Sequence, residues 1–225
     1  MKKLYVTDLD GTLLNGNAML SARTVCLLNR LIEQGALISV ASARSPVGVG
    51  MTNLREIRFT LPLVLMNGVM LYDLASGRIL ESCTWSSGTT AAVLEVCRQG
   101  GKTPFLYRVE EGRMDIAFTA LTSEGERQFY RKRAEKFSSM FHKVPSYPLD
   151  GAVYCSMQDR EEVLRSIREK LKDLPDVESV LYTDTYREGN WYLEIFSARA
   201  GKANGVRRLR DRVGAERVTA FGDNY

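Results

Sequence analysis

The sequence predicts an α/β fold, with a Rossmann-like parallel-sheet core and an inserted α+β domain. Three observations carry this. Short, almost continuously apolar runs alternate with helix-patterned segments from Leu4 to Met66. The pattern then gives way to hairpins and longer helices through the middle of the chain. Near the end, from Ala200 to Phe221, the first pattern returns. Strands buried on both faces read as unbroken apolar runs, and strand–helix alternation demands right-handed crossovers between parallel strands.

Leu4 to Thr7 is the first such strand. Ser21 then suits a helix N-cap, with Val25, Leu28 and Ile32 on one face and Gly35 closing the end. Ala36 to Ala41 is the second strand, Pro46 opens a short helix, and Leu61 to Met66 is the third strand. Val69 to Tyr72 and Ile79 to Thr84 flank Ala75-Ser76-Gly77 as a hairpin. The insert begins with a helix from Gly88 to Arg98 and strands Phe105 to Val109 and Met114 to Phe118. A long helix follows, opened by the capping box Ser123-x-x-Glu126. Then come a strand at Val153 to Met157, a helix over Asp159 to Lys172, and strands Val177 to Thr183 and Trp191 to Phe196. This reads as an antiparallel sheet with two helices on one face. The expected division is a discontinuous core, 1–84 and 185–225, with an α+β domain at 85–184.

Composition excludes several classes. Of 225 residues, 44% are hydrophobic and 26% charged, the balance of a globular chain. No apolar run approaches the roughly 18 residues a membrane helix needs. The run after Lys2 and Lys3 is broken by Asp8 and does not read as a signal peptide. The cysteines, Cys26, Cys83, Cys97 and Cys155, form no CxxC pair, which suits reduced thiols in a cytoplasmic chain. The single histidine, His142, argues against any Ser-His or Cys-His mechanism. The stretch Arg127 to Lys143 is basic and aromatic, yet Tyr130, Ala134, Phe137 and Phe141 step as a buried helical stripe. Nucleic-acid binding is therefore not expected, and neither is a membrane. The formal charge of +4 is mild and compatible with a small anionic substrate.

Polar residues gather where the parallel strands end. Asp8 and Asp10 follow the first, Ser42 and Arg44 the second, Asn67 the third and Asp223 the last. Open α/β sheets bind ligands beyond the carboxyl ends of their strands. Taken singly, DLDGT could be an Asp-Gly turn, Ser42 a cap, Arg44 a structural ion pair and Asn67 a turn former needing positive φ.

Order and spacing decide further. DLDGT at Asp8 to Thr12, ASAR around Ser42, GKANGV around Lys202 and GDNY around Asp223 follow one another as in the haloacid dehalogenase-like superfamily. The position and size of the insert resemble the class II cap, subclass B, of the Cof-type sugar-phosphate phosphatases. The resemblance covers the whole chain. It implies that Asp8 is a nucleophile carrying phosphoryl as an aspartyl-phosphate, a role open to carboxylates. It implies that Asp10 protonates the leaving oxygen and later activates water, which requires the two carboxyls to titrate apart. Leu9, Ser42, Arg44 and Lys202 would bind the phosphoryl group. Mg²⁺ would take Asp8, the backbone carbonyl of Asp10, and Asp223, in keeping with its preference for oxygen ligands. Asn67 lies near the site in that family. The cap would serve as lid and substrate selector, with Arg187, Glu188 and Asn190 as candidates.

The sequence departs from the family pattern at its end. The motif there continues as GDxxND, and the second acid falls beyond Tyr225. The expectation is a truncated chain, with Val218 to Phe221 left as an apolar sheet edge unless a partner covers it. The expected function is Mg²⁺-dependent hydrolysis of a small phosphorylated metabolite, a sugar phosphate. The alternatives are a phosphohexose mutase-like transferase and a catalytically silent binding domain. Oligomeric state is left open.

Overall fold

The computed structural model describes residues 2–184 and 188–223. The chain forms two compact units, Met1–Ser82 with Ala200–Tyr225, and Cys83–Arg199. Among the described residues no helix is long and apolar enough to cross a membrane.

In the first unit, β1 (Lys3–Thr7) lies between β2 (Leu37–Val40) and β12 (Arg217–Phe221), parallel to both. Thr7 is level with Val40 on one side and Phe221 on the other, so all three strands end at one edge. The chain leaves β1 towards β2 and returns on its opposite side as β12, the reversal that opens a ligand crevice beyond the strand ends. A single parallel bridge, Ala41–Val64, leads on to β3 (Leu63–Leu65), which continues antiparallel into β4 (Met70–Asp73) and β5 (Arg78–Ser82). Leu4, Val6, Ala41, Val64, Leu71 and Leu209 form the buried core. Helix α1 (Ala22–Glu33) is capped by Ser21, whose Oγ accepts from Thr24 N–H at 3.1 Å, and it buries Ile32. A short helix α2 (Pro46–Val49) follows the second strand, with proline in its first turn as expected. Among the described residues β12 pairs with β1 alone, and Val218 and Phe221 are 37% and 53% exposed.

The second unit is a six-stranded sheet in the order β10-β11-β9-β6-β7-β8. Its strands are β6 (Phe105–Glu110), β7 (Arg113–Phe118), β8 (Phe141–Lys143), β9 (Ala152–Asp159), β10 (Glu178–Thr183) and β11 (Trp191–Phe196). All neighbours are antiparallel except β7 and β8. One face carries Leu106, Ala117, Cys155, Met157, Leu193 and Ile195, packed with Val93 and Cys97 of α3 (Ser87–Gln99) and with Leu164, Ile167 and Leu171 of α5 (Glu161–Leu171). Burial pushes the Cys97 thiol up to about 12 and raises Cys155 as well, so both behave as small apolar side chains. All four cysteines are free thiols, only Cys26 being exposed.

Three features of this unit differ from the sequence expectation. Helix α4 (Glu124–Phe137) lies on the other face from α3 and α5, with Phe129 5.1 Å from Phe105, the neighbour of Leu106 in an alternating strand. Next, Phe141 is not in that helix. The helix stops at Phe137, and Phe141 enters β8, so the spacing from Tyr130 imitates a helical stripe while the two rings meet at 5.6 Å through a chain reversal. Finally, β11 sits between β10 and β9, so this unit runs to Arg199, past the boundary read at 184. The alternating Leu193 and Ile195 suit either sheet, and only pairing decides between them.

Candidate active site

Each polar residue at the shared strand edge is held there by main-chain bonds. The Asp8 N–H donates to Phe221 O at 2.9 Å, extending the β1–β12 ladder by one residue. The Asp8 side chain divides its oxygens: Oδ1 accepts from Leu9 N–H at 2.8 Å, and Oδ2 accepts from Lys202 Nζ at 2.8 Å. The Leu9 side chain is fully buried and anchors the loop, which Leu14 N–H closes onto Leu9 O at 2.8 Å. Leu9 thus presents its N–H to Asp8 itself.

Gly11 turns this loop with φ of 76°, a region closed to most side chains. A Cβ here would lie 2.5 Å from Asp223 Oδ2, so the Asp223 carboxylate packs directly against the glycine. Asp8 and Asp223 therefore reach the same loop from adjacent parallel strands.

Asp10 faces the other way, into Arg44. The Arg44 Nε donates to Asp10 Oδ2 at 2.8 Å and Nη2 to Oδ1 at 2.7 Å, while Nη1 reaches Gly48 O at 3.2 Å. Such a fork-to-fork pair fixes orientation as well as charge. Ser42 is wholly buried; its Oγ accepts from Arg44 N–H at 3.1 Å and its own N–H donates to Val64 O at 2.9 Å. Ser42 thereby sets the backbone that presents Arg44.

Lys202 opens α6 (Lys202–Val213) just after Gly201, whose φ is 113°. Asn67 reaches this edge from the turn after β3. Its role is backbone: Met66, Asn67 and Gly68 all have positive φ, and Asn67 O accepts from Gly201 N–H at 2.8 Å. Asn190 belongs to the second unit. It is buried, donates to Asp184 Oδ2 at 3.0 Å, and its Oδ1 would meet any side chain at Gly125. Glu188 lies beside it on the surface. Arg187 falls outside the described residues.

Arg208 lies on α6, among several basic residues that would suit a solvated face. Its guanidinium instead bonds Gly68 O and pairs with Glu81 Oε1 at 3.0 Å. No local pattern signals this, because both partners lie more than a hundred residues away.

The oxygen set suits a hard cation. Among the described residues no three His, Cys, Asp or Glu side chains gather at metal distance. An ion here would take Asp8 and Asp223, with main-chain oxygen and water filling its shell. Mg²⁺, which keeps several waters and needs only one or two carboxylates, has those requirements. The fit of Asp223 against Gly11 leaves that carboxylate in place without a side chain in the way.

The parallel sheet thus gathers three carboxylates, a lysine and an arginine at its strand ends. The chain belongs to the haloacid dehalogenase-like hydrolases, whose family profile matches residues 5–225. Proteins to which it is similar include phosphatases. It is 24% identical over 232 residues to the 5-amino-6-(5-phospho-D-ribitylamino)uracil phosphatase YitU of Bacillus subtilis, covering 98% of this chain and 79% of that protein. The fold matches a haloacid dehalogenase-like hydrolase from Bacteroides thetaiotaomicron with a TM-score of 0.74 at 21% identity, over 100% of this chain and 83% of that one. It also matches the subclass IIB sugar phosphatase BT4131 with a TM-score of 0.67 at 16% identity, over 100% of this chain and 81% of that one.

Proposed function

We propose that the chain hydrolyses a small phosphorylated metabolite, a sugar phosphate, through an aspartyl-phosphate on Asp8, with Mg²⁺ as cofactor. The observation that carries this is the Asp8 carboxylate, fixed by Leu9 N–H and Lys202 Nζ, with a second carboxylate two residues on. An Asp8 oxygen attacks phosphorus as the P–O bond to the alcohol breaks. Asp10 gives the leaving oxygen its proton. The deprotonated Asp10 then takes a proton from water, whose oxygen attacks phosphorus and frees phosphate and Asp8. Lys202 offsets the negative charge that Asp8 and the phosphoryl group bring together. Arg44 orients the Asp10 carboxyl and releases one of its oxygens when that carboxyl holds the proton. Asp8, Asp223 and the Asp10 carbonyl would hold Mg²⁺, which would supply further charge neutralisation, the main requirement of phosphoryl transfer.

YitU acts on a phosphorylated ribityl compound and BT4131 on sugar phosphates, which supports the substrate class. The test is Mg²⁺-dependent phosphate release from p-nitrophenyl phosphate and a sugar-phosphate panel. Asp8→Asn should lower kcat by at least about a thousandfold. Full activity in that variant overturns the mechanism, and turnover of a sugar phosphate without free phosphate release would make the enzyme a mutase.

A further inference from the structure

Lys202 can meet Asp8 only if α6 is seated correctly along its axis and in rotation. Three consecutive residues with positive φ, Met66 at 51°, Asn67 at 54° and Gly68 at 83°, make that seat. A non-glycine residue pays for such a conformation, so two in succession mark a turn that its surroundings impose. The peptide groups of this turn point to three places. Asn67 N–H donates to Ser42 O at 3.1 Å, and Met66 N–H donates to Arg44 O at 3.0 Å. Asn67 O accepts from Gly201 N–H at 2.8 Å, one residue before Lys202. Gly68 O accepts from the Arg208 guanidinium.

The fit between turn and helix leaves no slack. A Cβ on Gly68 would run into the backbone of Gly201, and one on Gly205 into Val64 Cγ1 and Gly68 Cα. Two grips therefore hold α6 against the turn. One is at Gly201, and the other is at Arg208, about 10 Å further along the helix at the usual rise per residue. Arg208 is itself braced by Glu81 of β5 at 3.0 Å. The same turn carries the main-chain bonds to Ser42 and Arg44, so it ties the Lys202 helix to the loop that presents Arg44.

We propose that Arg208, braced by Glu81, is a positioning residue: it locks α6 onto the Met66–Gly68 turn and so holds Lys202 Nζ on Asp8. This rests on the reading of Asp8 and Lys202 as the reacting pair. An arginine suits the task because its rigid planar fork fixes the directions of its bonds to the carbonyl and the carboxylate, whereas lysine's ammonium is a point charge on a flexible stem whose donors rotate.

The full chain, its Arg208→Met, Arg208→Lys and Glu81→Gln variants, and Lys202→Met would be compared by two readouts. The first is the acylation rate of each lysine under a limiting amine-reactive reagent, resolved by mass spectrometry without substrate or metal. The second is kcat and KM for p-nitrophenyl phosphate. Lys202 should label several-fold faster in Arg208→Met and Arg208→Lys than in the parent, while the other lysines keep their rates. Their kcat should fall about ten- to a hundredfold, the range that small misplacements of a reacting group produce, with KM nearly constant. Glu81→Gln, the mildest change, should move both in the same direction to a lesser degree. Unchanged Lys202 labelling with intact kcat in folded Arg208→Lys or Glu81→Gln overturns the proposal, whatever happens to the thermal midpoint. A parent whose turnover survives Lys202→Met and Asp8→Asn would overturn the catalytic reading instead, and the labelling result would still decide the latch.

Discussion

Arg44 grips Asp10 with both arms of its fork, Nε on Oδ2 at 2.8 Å and Nη2 on Oδ1 at 2.7 Å. The two residues are separated by 34 positions, and the pair is made at the rim, with 55% of the Asp10 side chain exposed. The contact therefore controls where the Asp10 carboxyl points more than it stabilises the fold.

Arg44→Lys keeps the charge and loses the fork. A proton donor matters most when the leaving alcohol is a poor one, so kcat should fall about ten- to a hundredfold on sugar phosphates and far less on p-nitrophenyl phosphate. The measurement is the ratio of the two kcat values in parent and variant. An equal loss on both substrates would place Arg44 on the phosphoryl group itself and not on Asp10.

Gly11→Ala should uncouple Asp223 from the loop. The new Cβ would stand 2.5 Å from Asp223 Oδ2 at a φ of 76°, so the carboxylate has to retreat. The Mg²⁺ concentration for half-maximal activity should rise at least about tenfold, as it should in Asp223→Asn, because each loses one of the one or two carboxylates such an ion uses. A magnesium titration of both variants checks this, and an unchanged midpoint in both would remove Asp223 from the metal site.

Lys102→Met should destabilise the chain by about 3–5 kcal/mol, the usual consequence of stranding one member of a buried ion pair. Lys102 Nζ lies 2.8 Å from Glu126 Oε1 and 3.0 Å from Asp159 Oδ2, and Lys102 and Glu126 are 2% and 1% exposed. The other Glu126 oxygen accepts from Thr122 N–H, Thr122 Oγ1 and Ser123 N–H, so the carboxylate also fastens the start of α4. Adding Glu126→Gln to Lys102→Met should recover part of the loss in denaturant unfolding.

Glu194→Gln should change how stability depends on pH. Desolvation raises the Glu194 carboxyl above its ordinary range, against the hydrogen bonds from Tyr182, at 2.7 Å, and Tyr154. An acid whose folded pKa is raised holds its proton more tightly in the folded chain. Its contribution is full below the ordinary carboxyl range and is lost as pH climbs through the raised value. The stability of Glu194→Gln relative to the parent should therefore grow from about pH 4 towards about pH 8. Urea melts across that range decide it; a difference that shrinks with pH would reverse the sign.

How far these features could be read beforehand depends on where their information lies. Asp8, Lys202 and Asp223 were legible because each follows or opens an element with strong local pattern, and because their order along the chain is informative. Ser21 and Ser123 were legible as caps for the same local reason, and both bond as expected. What escaped is information held in pairing. The bond from Arg208 to Gly68 spans 140 positions, and the end of the second unit at Arg199 follows from the pairing of β11 with neighbours on either side. Phe141 shows the converse, since a periodic spacing of aromatic residues was created by a turn and a parallel strand, not by a helix. Asn67 lies between the two: its Asn-Gly sequence announces positive φ, but not that its carbonyl holds the residue before Lys202.

The hydrogen bond from Asp8 N–H to Phe221 O has a consequence in time. A chain is made from its N-terminus, so Asp8 emerges first and waits for a partner made 213 positions later. Until β12 has been synthesised and has docked beside β1, Asp8 lacks its backbone neighbour. Any intermediate released before Phe221 is made carries DLDGT beside a bare edge of β1, open to pairing with another chain.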